Sequence, residues 1–423
     1  MLSLSLFIGV SHMAYRITPS GPVSRLAFIA LALVIGACGL GSTPTPYLVT
    51  LTPPATALET ETATPLPTDT AVPTLAPTDL PPQPSPPPPP TPEPPTPEPT
   101  VDPWPSARDQ PGASKMSLHV ILNDDSRIME FVRRAKPRLI KGLDNLDWLA
   151  EVKQVSPQTV TIGRFTQVPN RDILDNKDPS QYPSAADFAR DFINTFLDQY
   201  RANPGVDYWE GWNEFPPNGA AEWQWFAQFE AERACQMQAL GLKAAVGGFS
   251  AGTPEYADMA YFLPAIEAVK RCGGIFTLHE YSSPVMQYGV NAGIPNAVHV
   301  DNAGSLTLRY RYWYEGYLKP RGLVVPLVIS EAGIDRHIGA GCPLNDGGTG
   351  WYGCVEDWKS LGLGDAAWQA YMNQLSWYDS ELRKDDYVIG FTIFTAGTSN
   401  VEGWRTYNID DLLVPMAVYM NGQ

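Results

Sequence analysis

From Lys115 to Gln423 the sequence alternates between short apolar windows and amphipathic ones, and it completes the alternation eight times. Apolar runs rich in β-branched and aromatic residues read as strands, and windows with a 3.6-residue apolar period read as helices. The first strand is Leu118–Leu122, ending at Asn123-Asp124, followed by a helix from Ser126 with Ile128, Phe131, Val132 and Ala135 on one face. Leu139–Leu143 and a helix over Asp144–Gln154, with Leu146, Leu149 and Val152 inward, form the second unit. Thr159–Phe165, with Arg164 at its end, precedes a longer helix from Ser184, where Ser-Ala-Ala-Asp makes a capping box and Phe188, Phe192, Phe196 and Tyr200 face inward.

The fourth strand is expected within Val206–Glu214, with its helix at Ala220–Leu240 stopped by Gly241. Lys243–Ser250 and Pro254–Lys270 follow, then Ile275–Ser282 with an aromatic-rich helix at Leu306–Leu318. Leu327–Glu331 with Asp365–Leu382, and Val388–Ala396 with a short closing segment at Leu412–Tyr419, complete the series. Eight strand–helix units in one stretch predict an α/β protein built as a (β/α)8 TIM barrel. An open doubly wound sheet is the alternative, but it would carry a Gly-rich phosphate turn after an early strand, and the sequence has none.

The first quarter has a different texture. Leu26–Ala37 is an apolar run preceded by Arg16 and Arg25, too short for a membrane span and suited to an export signal. Its ending, Ile35-Gly36-Ala37-Cys38, resembles a bacterial lipoprotein cleavage box, in which Cys38 becomes the lipidated first residue. Thr43–Asp102 is dense in Pro and Thr and cannot bury a core, so it is expected to be a disordered, semi-rigid stalk. The expected organisation is a signal segment over 1–38, a linker over 39–114 and a catalytic barrel over 115–423. That places the protein outside the cytoplasm as a cell-surface lipoprotein, touching the membrane only through its anchor.

In such a barrel every strand ends at the rim where active sites form. The strand ends here supply Asn123, Arg164, Asn213 with Glu214, His279 with Tyr281, Glu331 and, beyond strand eight, Trp404. Strands four and seven lie nearly opposite in an eight-membered ring, so Glu214 and Glu331 are placed to face each other. Two carboxylates about 5–5.5 Å apart are the geometry of a retaining glycosidase, one as nucleophile and the other as acid and then base. Mutual repulsion favours one proton shared between them. The net charge of −16 excludes nucleic acid as the natural partner, because its phosphates would be repelled. Twelve Trp offer platforms for sugar rings, although a core of this size absorbs most of them.

Trp212-Asn213-Glu214, His279-Glu280-Tyr281 and Ile329-Ser330-Glu331, in that order on strands four, six and seven, resemble the signature of the clan A glycoside hydrolases, families 5 and 39 in particular. The resemblance covers the barrel. It implies a retaining O-glycosyl hydrolase acting on β-linked polysaccharide or oligosaccharide, with Glu214 as acid/base and Glu331 as nucleophile. It further implies that Asn213 binds the sugar 2-hydroxyl, that Tyr281 hydrogen-bonds the nucleophile and that His279 lines the pocket. No cofactor and no metal are called for. Two departures stand out. The usual strand-two Arg is replaced by Lys141 or by Arg164 of strand three, and the usual strand-eight Trp by Phe394 or Trp404. A non-catalytic glycan-binding surface protein, or a transglycosylase remodelling the envelope, is the alternative.

The stretch Gly333–Gly364 is long for a loop at this rim and carries Trp351, Tyr352 and Trp358. Without Cys38, four cysteines remain and allow three pairings; Cys342–Cys354 and Cys235–Cys272 are expected, in keeping with an oxidising compartment. A zinc site from Cys342, Cys354 and His337 is the alternative, but the spacing lacks a Cys-x-x-Cys pair.

Overall fold

A computed structural model of the chain describes residues 102–166, 184–344 and 347–423. The expected signal segment, Cys38 and the Pro/Thr run up to Val101 lie outside the described residues. Eight parallel strands, β1 (Met116–Val120), β2 (Leu139–Leu143), β3 (Val160–Arg164), β4 (Tyr208–Glu210), β5 (Ala244–Phe249), β6 (Ile275–Ser282), β7 (Leu327–Ile334) and β8 (Val388–Ala396), pair in chain order. The ring closes where β8 returns to β1, Met116 pairing with Phe391 and Leu118 with Ile393. The (β/α)8 barrel read from the sequence is the fold.

The helices of the outer layer are α1 (Ser126–Ala135), α2 (Leu149–Val155), α3 (Ala185–Ala202), α4 (Gly219–Ala239), α5 (Met259–Cys272), α6 (Tyr310–Trp313), α7 (Val355–Ser360), α8 (Ala367–Leu382) and α9 (Leu413–Asn421). The start of α3 follows from its cap: the Ser184 hydroxyl accepts from the Asp187 amide at 3.2 Å. Along α3 the Phe192 ring meets those of Phe188 and Phe196, and Phe188 and Phe192 meet Phe229 of α4. Each such buried ring contributes about 1.5–3 kcal/mol relative to exposure. Trp209 and Trp212 are consumed in this same cluster, so they support the barrel and offer no face to a ligand.

Departures from the sequence reading are local. The first strand begins at Met116 and ends two residues before the expected Leu122, its entry fixed by the Lys115 amide on Asp379 at 2.6 Å. Asp144–Trp148 is a turn and not the first part of α2, because Asp144 sits at φ 53 and its carboxylate accepts from the Thr166 amide. In the fourth unit only Tyr208–Glu210 stays in the ladder, and Gly211–Glu214 leaves it. A turn over Glu255–Asp258 delays α5. The expected helix Leu306–Leu318 is α-helical over Tyr310–Trp313 and π-helical over Tyr314–Leu318. Leu412 ends a 3-10 turn and Leu413–Tyr419 is part of α9, which closes the helical layer against α1, while β8 and β1 close the sheet.

Residues 102–114 lie against the barrel. Arg108 donates to the Met420 carbonyl at 2.8 Å, and Asn421 donates to the Ser106 carbonyl at 2.8 Å.

Inside the ring, side chains two apart on a strand share a face. Leu139, Ile162, Ala245, Ile275 and Val328, with Tyr208 and Ile389 partly buried against them, form an apolar floor near the strand starts. Two residues further along β2, β3 and β4 stand Lys141, Arg164 and Glu210, all buried.

Candidate active site

Glu331 is supplied by β7, where it pairs in register with His279 of β6 across a bulge after Leu278. Its two oxygens are held from different sides. Lys141 Nζ lies 3.1 Å from Oε1, and the Tyr281 hydroxyl donates to Oε2 at 3.0 Å. His279 Nδ1 is 3.6 Å from Oε2, and His119 Nδ1 is 4.0 Å from Oε1.

Burial opposes ionisation of Glu331, but His279, Lys141, His119 and Arg164 together outweigh it and hold the carboxyl well below its ordinary range. His279 and then Lys141, 3.1 Å from Oε1, have the largest influence, while burial drives His119 itself well below its ordinary range. Burial, and then Glu331 itself, push the Tyr281 hydroxyl well above its ordinary range, so it stays a donor.

Glu214 comes from the opposite side of the ring. It adopts φ 51, in the left-handed region that non-glycine residues seldom enter, with its amide donating to the Gly248 carbonyl at 2.8 Å. A conformation costing on the order of 1–3 kcal/mol that the surroundings enforce is the kind found at functional positions. Its side chain is 37% exposed, against 9% for Glu331, and its Oε1 lies 2.7 Å from His279 Nδ1. His279 therefore stands between the two acids. One carboxylate oxygen of each and a His279 ring nitrogen all fall within 4.8 Å of one another. These three are a possible ligand set for a cation, but the Lys141 ammonium beside Glu331 would repel one.

Of the two basic residues expected near the nucleophile, Lys141 lies beside Glu331, and Arg164 Nε lies 3.9 Å from Glu210 Oε2. Glu210 was not among the residues expected from sequence. Lys141 Nζ, fully buried, bridges Glu210 Oε2 at 2.8 Å and Glu331. Burial works to raise the Glu210 carboxyl, but Lys141, Arg164 and His279 hold it below its ordinary value. The readable signal was an acid two residues after Tyr208 on an inward-facing strand. His119, also missed, lies under the site with its ring 5.0 Å from that of Phe394.

At strand eight, Phe394 is buried against Tyr281 and His119, and Trp404 meets it edge-on at 5.1 Å. Trp404 is 43% exposed, so it is the aromatic of this pair with a face to offer. Asn213 sits directly before Glu214, half-buried. Asn123 lies beyond the end of β1.

Both expected disulfides are present. Cys235–Cys272 ties α4 to the end of α5, and Cys342–Cys354 closes the long loop after β7. The zinc alternative loses two of its ligands because those sulfurs are bonded to each other. That loop holds a 3-10 turn at Trp351–Cys354 and then α7. Trp351 Nε1 donates to the Asn408 carbonyl at 2.9 Å, and Thr406 Oγ1 accepts from the Gly350 amide at 3.1 Å. Between the joined segments lies an open cleft of about 670 Å³ lined by Tyr352, Arg405, Thr406, Asn408 and Asp411 among others.

No protein-family model matches the sequence, and no curated protein matches it. Solved structures of glycoside hydrolases are similar in fold. A family 39 glycoside hydrolase from Bacteroides cellulosilyticus is 10% identical over 75% of this chain and 66% of its own, with a TM-score of 0.45. A β-glucuronidase from an uncultured Clostridium species is 12% identical over 73% of this chain, with a TM-score of 0.40, and this chain spans 50% of its length. The endo-β-1,4-mannanase of Thermotoga petrophila is 13% identical over 73% of this chain and 77% of its own, with a TM-score of 0.38. At such identities the likeness is one of fold.

Proposed function

We propose that the protein is a retaining glycoside hydrolase of β-linked glycans, with Glu331 as nucleophile and Glu214 as acid/base. The reading rests on one observation: the two carboxylates come within 4.8 Å of each other on a shared histidine. That spacing leaves no room for the water an inverting enzyme places between acid and sugar, and suits direct attack. The environments divide the labour. Glu331, paired with Lys141 and Tyr281, is kept ionised, and Glu214, open to solvent and facing His279, is the one placed to carry and exchange a proton.

In the first step a Glu331 oxygen bonds to the anomeric carbon, the glycosidic C–O bond breaks, and the leaving oxygen takes the Glu214 proton. In the second, water gives a proton to Glu214 and bonds to the anomeric carbon, and the glycosyl ester breaks to return the Glu331 carboxylate. Asn213 would hold the sugar 2-hydroxyl, Trp404 would present a face to the sugar, and Tyr281 would orient the nucleophile. Further units of the glycan would run toward the cleft beside Tyr352. Export and tethering through a lipidated Cys38 complete the proposal and place the enzyme at the cell surface.

Glu331→Ala and Glu214→Ala should each abolish release of reducing sugar while leaving the circular dichroism spectrum and melting temperature within the range of the wild type. Full turnover in either folded variant would end the assignment.

A further inference from the structure

The two oxygens of Glu331 have different surroundings. Oε1 faces Lys141 at 3.1 Å and His119 at 4.0 Å, both fully buried. Oε2 takes the Tyr281 hydroxyl at 3.0 Å and lies 3.6 Å from His279 Nδ1, the nitrogen that also stands 2.7 Å from Glu214 Oε1. A sugar held between the two acids therefore meets Glu331 from the Oε2 side, because the Oε1 side is filled by buried side chains.

We propose, building on the glycosidase reading, that Glu331 attacks through Oε2 and that Lys141, held against Oε1, is a catalytic residue of the second displacement. In the first displacement an Oε2 electron pair bonds to the anomeric carbon. The glycosidic C–O bond breaks, and its electron pair leaves on the oxygen that takes the Glu214 proton. Oε1 is then the carbonyl oxygen of a neutral ester. In the second displacement water bonds to the anomeric carbon and gives a proton to Glu214. The electron pair of the ester C–O bond returns to Oε2, and Oε1 again shares a full negative charge.

Lys141 stays in place while the charge on Glu331 is gone, because Glu210 also holds its ammonium, at 2.8 Å. An ammonium fixed there attracts a carboxylate far more than a neutral ester, in a region where such attraction is weakly screened. It opposes the loss of charge in the first displacement and favours its return in the second. The other groups about Glu331 do not separate the steps so cleanly. His279 has the larger influence on Glu331 but touches Glu214 as well, and Tyr281 donates to the oxygen whose bonds change. His119 and Arg164 act on Glu331 more weakly than Lys141.

The test is Lys141→Gln, which keeps a donor for Oε1 but removes the charge, assayed with dinitrophenyl β-glucoside, β-mannoside and β-xyloside. The burst and the steady state, followed by rapid quench, report the two displacements separately. The second rate constant should fall about tenfold while the first holds or rises, so that kcat and KM drop together and kcat/KM stays within about threefold of the wild type. Intact mass of the variant during turnover should show one added glycosyl unit. A structure of the wild type stalled at the ester, with an activated β-glycoside carrying fluorine in place of the sugar 2-hydroxyl, gives a reading that needs no variant. There the new bond should lie on the Tyr281 side, with Lys141 against the carbonyl oxygen.

Equal losses in both displacements, or an ester formed through the oxygen beside Lys141, would overturn the proposal and leave the glycosidase reading standing. A wild type that releases dinitrophenol from none of the three glycosides and forms no ester would remove that reading, and this proposal with it.

Discussion

The apolar floor and the polar mouth of the barrel are drawn from the same strands: Leu139 and Lys141 on β2, Ile162 and Arg164 on β3, Tyr208 and Glu210 on β4, Ile275 and His279 on β6. The floor is a packed hydrocarbon layer in which each side chain is interchangeable with another of like volume. In the mouth each charge depends on a named partner, and Lys141 serves two acids at once. A strand can thus support the ring with one residue and equip the site with another two or four positions on. The difference between the layers is a difference in how they fail.

The largest effect is expected from the mouth. Lys141→Met leaves Glu210 and Glu331 buried without their shared cation, and breaking such a set by removing one partner costs about 3–5 kcal/mol. Stability measured by denaturant should drop by that amount at pH 7 and recover in part as the pH is lowered and the acids take up protons. A loss independent of pH would mean that Lys141 matters for its packing alone.

Next in size is a contrast between two glutamates of the inner strands. Glu280, on the outward side of β6, accepts from the Tyr378 hydroxyl and the Leu308 and Arg309 amides, yet burial pushes its carboxyl up to about 7. Folding then takes up a proton between the ordinary value of 4.5 and about 7. The contribution of Glu280 is fully present below 4.5 and is lost as the pH rises through about 7, a change of roughly 3 kcal/mol. Glu331, held low, works the other way: its contribution is present above the ordinary carboxylate range and is lost on acidification. Urea midpoints of wild type and Glu280→Gln across pH 4–8 should show the decline toward neutrality in the first and not in the second.

The floor should respond more weakly and without pH dependence. Ile275→Val removes one methylene from a fully buried position and should cost about 1 kcal/mol at every pH, with kcat unchanged. The smallest stability effect is expected at the rim, where Trp404→Ala at an exposed position should shift stability by no more than about 0.5 kcal/mol while raising KM several-fold. Equal stability losses at Ile275 and Trp404 would erase the distinction between layers.

The same contrast explains what could be read from the sequence. Strands such as β2, β6 and β8 were legible to the residue because continuous buried runs bounded by turns have no other reading. Glu214 and Glu331 were legible because acids at the ends of such runs have no apolar purpose. The turn at Asp144 was not, since its left-handed backbone depends on a partner from another segment, the Thr166 amide. Glu210 was passed over for a related reason. Embedded between Trp209 and Trp212, it looked like part of an aromatic strand, and only the folded ring brings Lys141 and Arg164 to it. The bridging role of Lys141 is likewise a fact of side-chain reach that no spacing encodes.

Proton NMR of the first product released from a β-linked substrate, followed before mutarotation, tests the central claim most directly. The close approach of Glu214 and Glu331 predicts that the new reducing end appears first as the β-anomer, with the α-form growing in later. An initial α-anomer would require a water between acid and sugar, and would contradict the assignment of Glu331 as a nucleophile that bonds to the anomeric carbon.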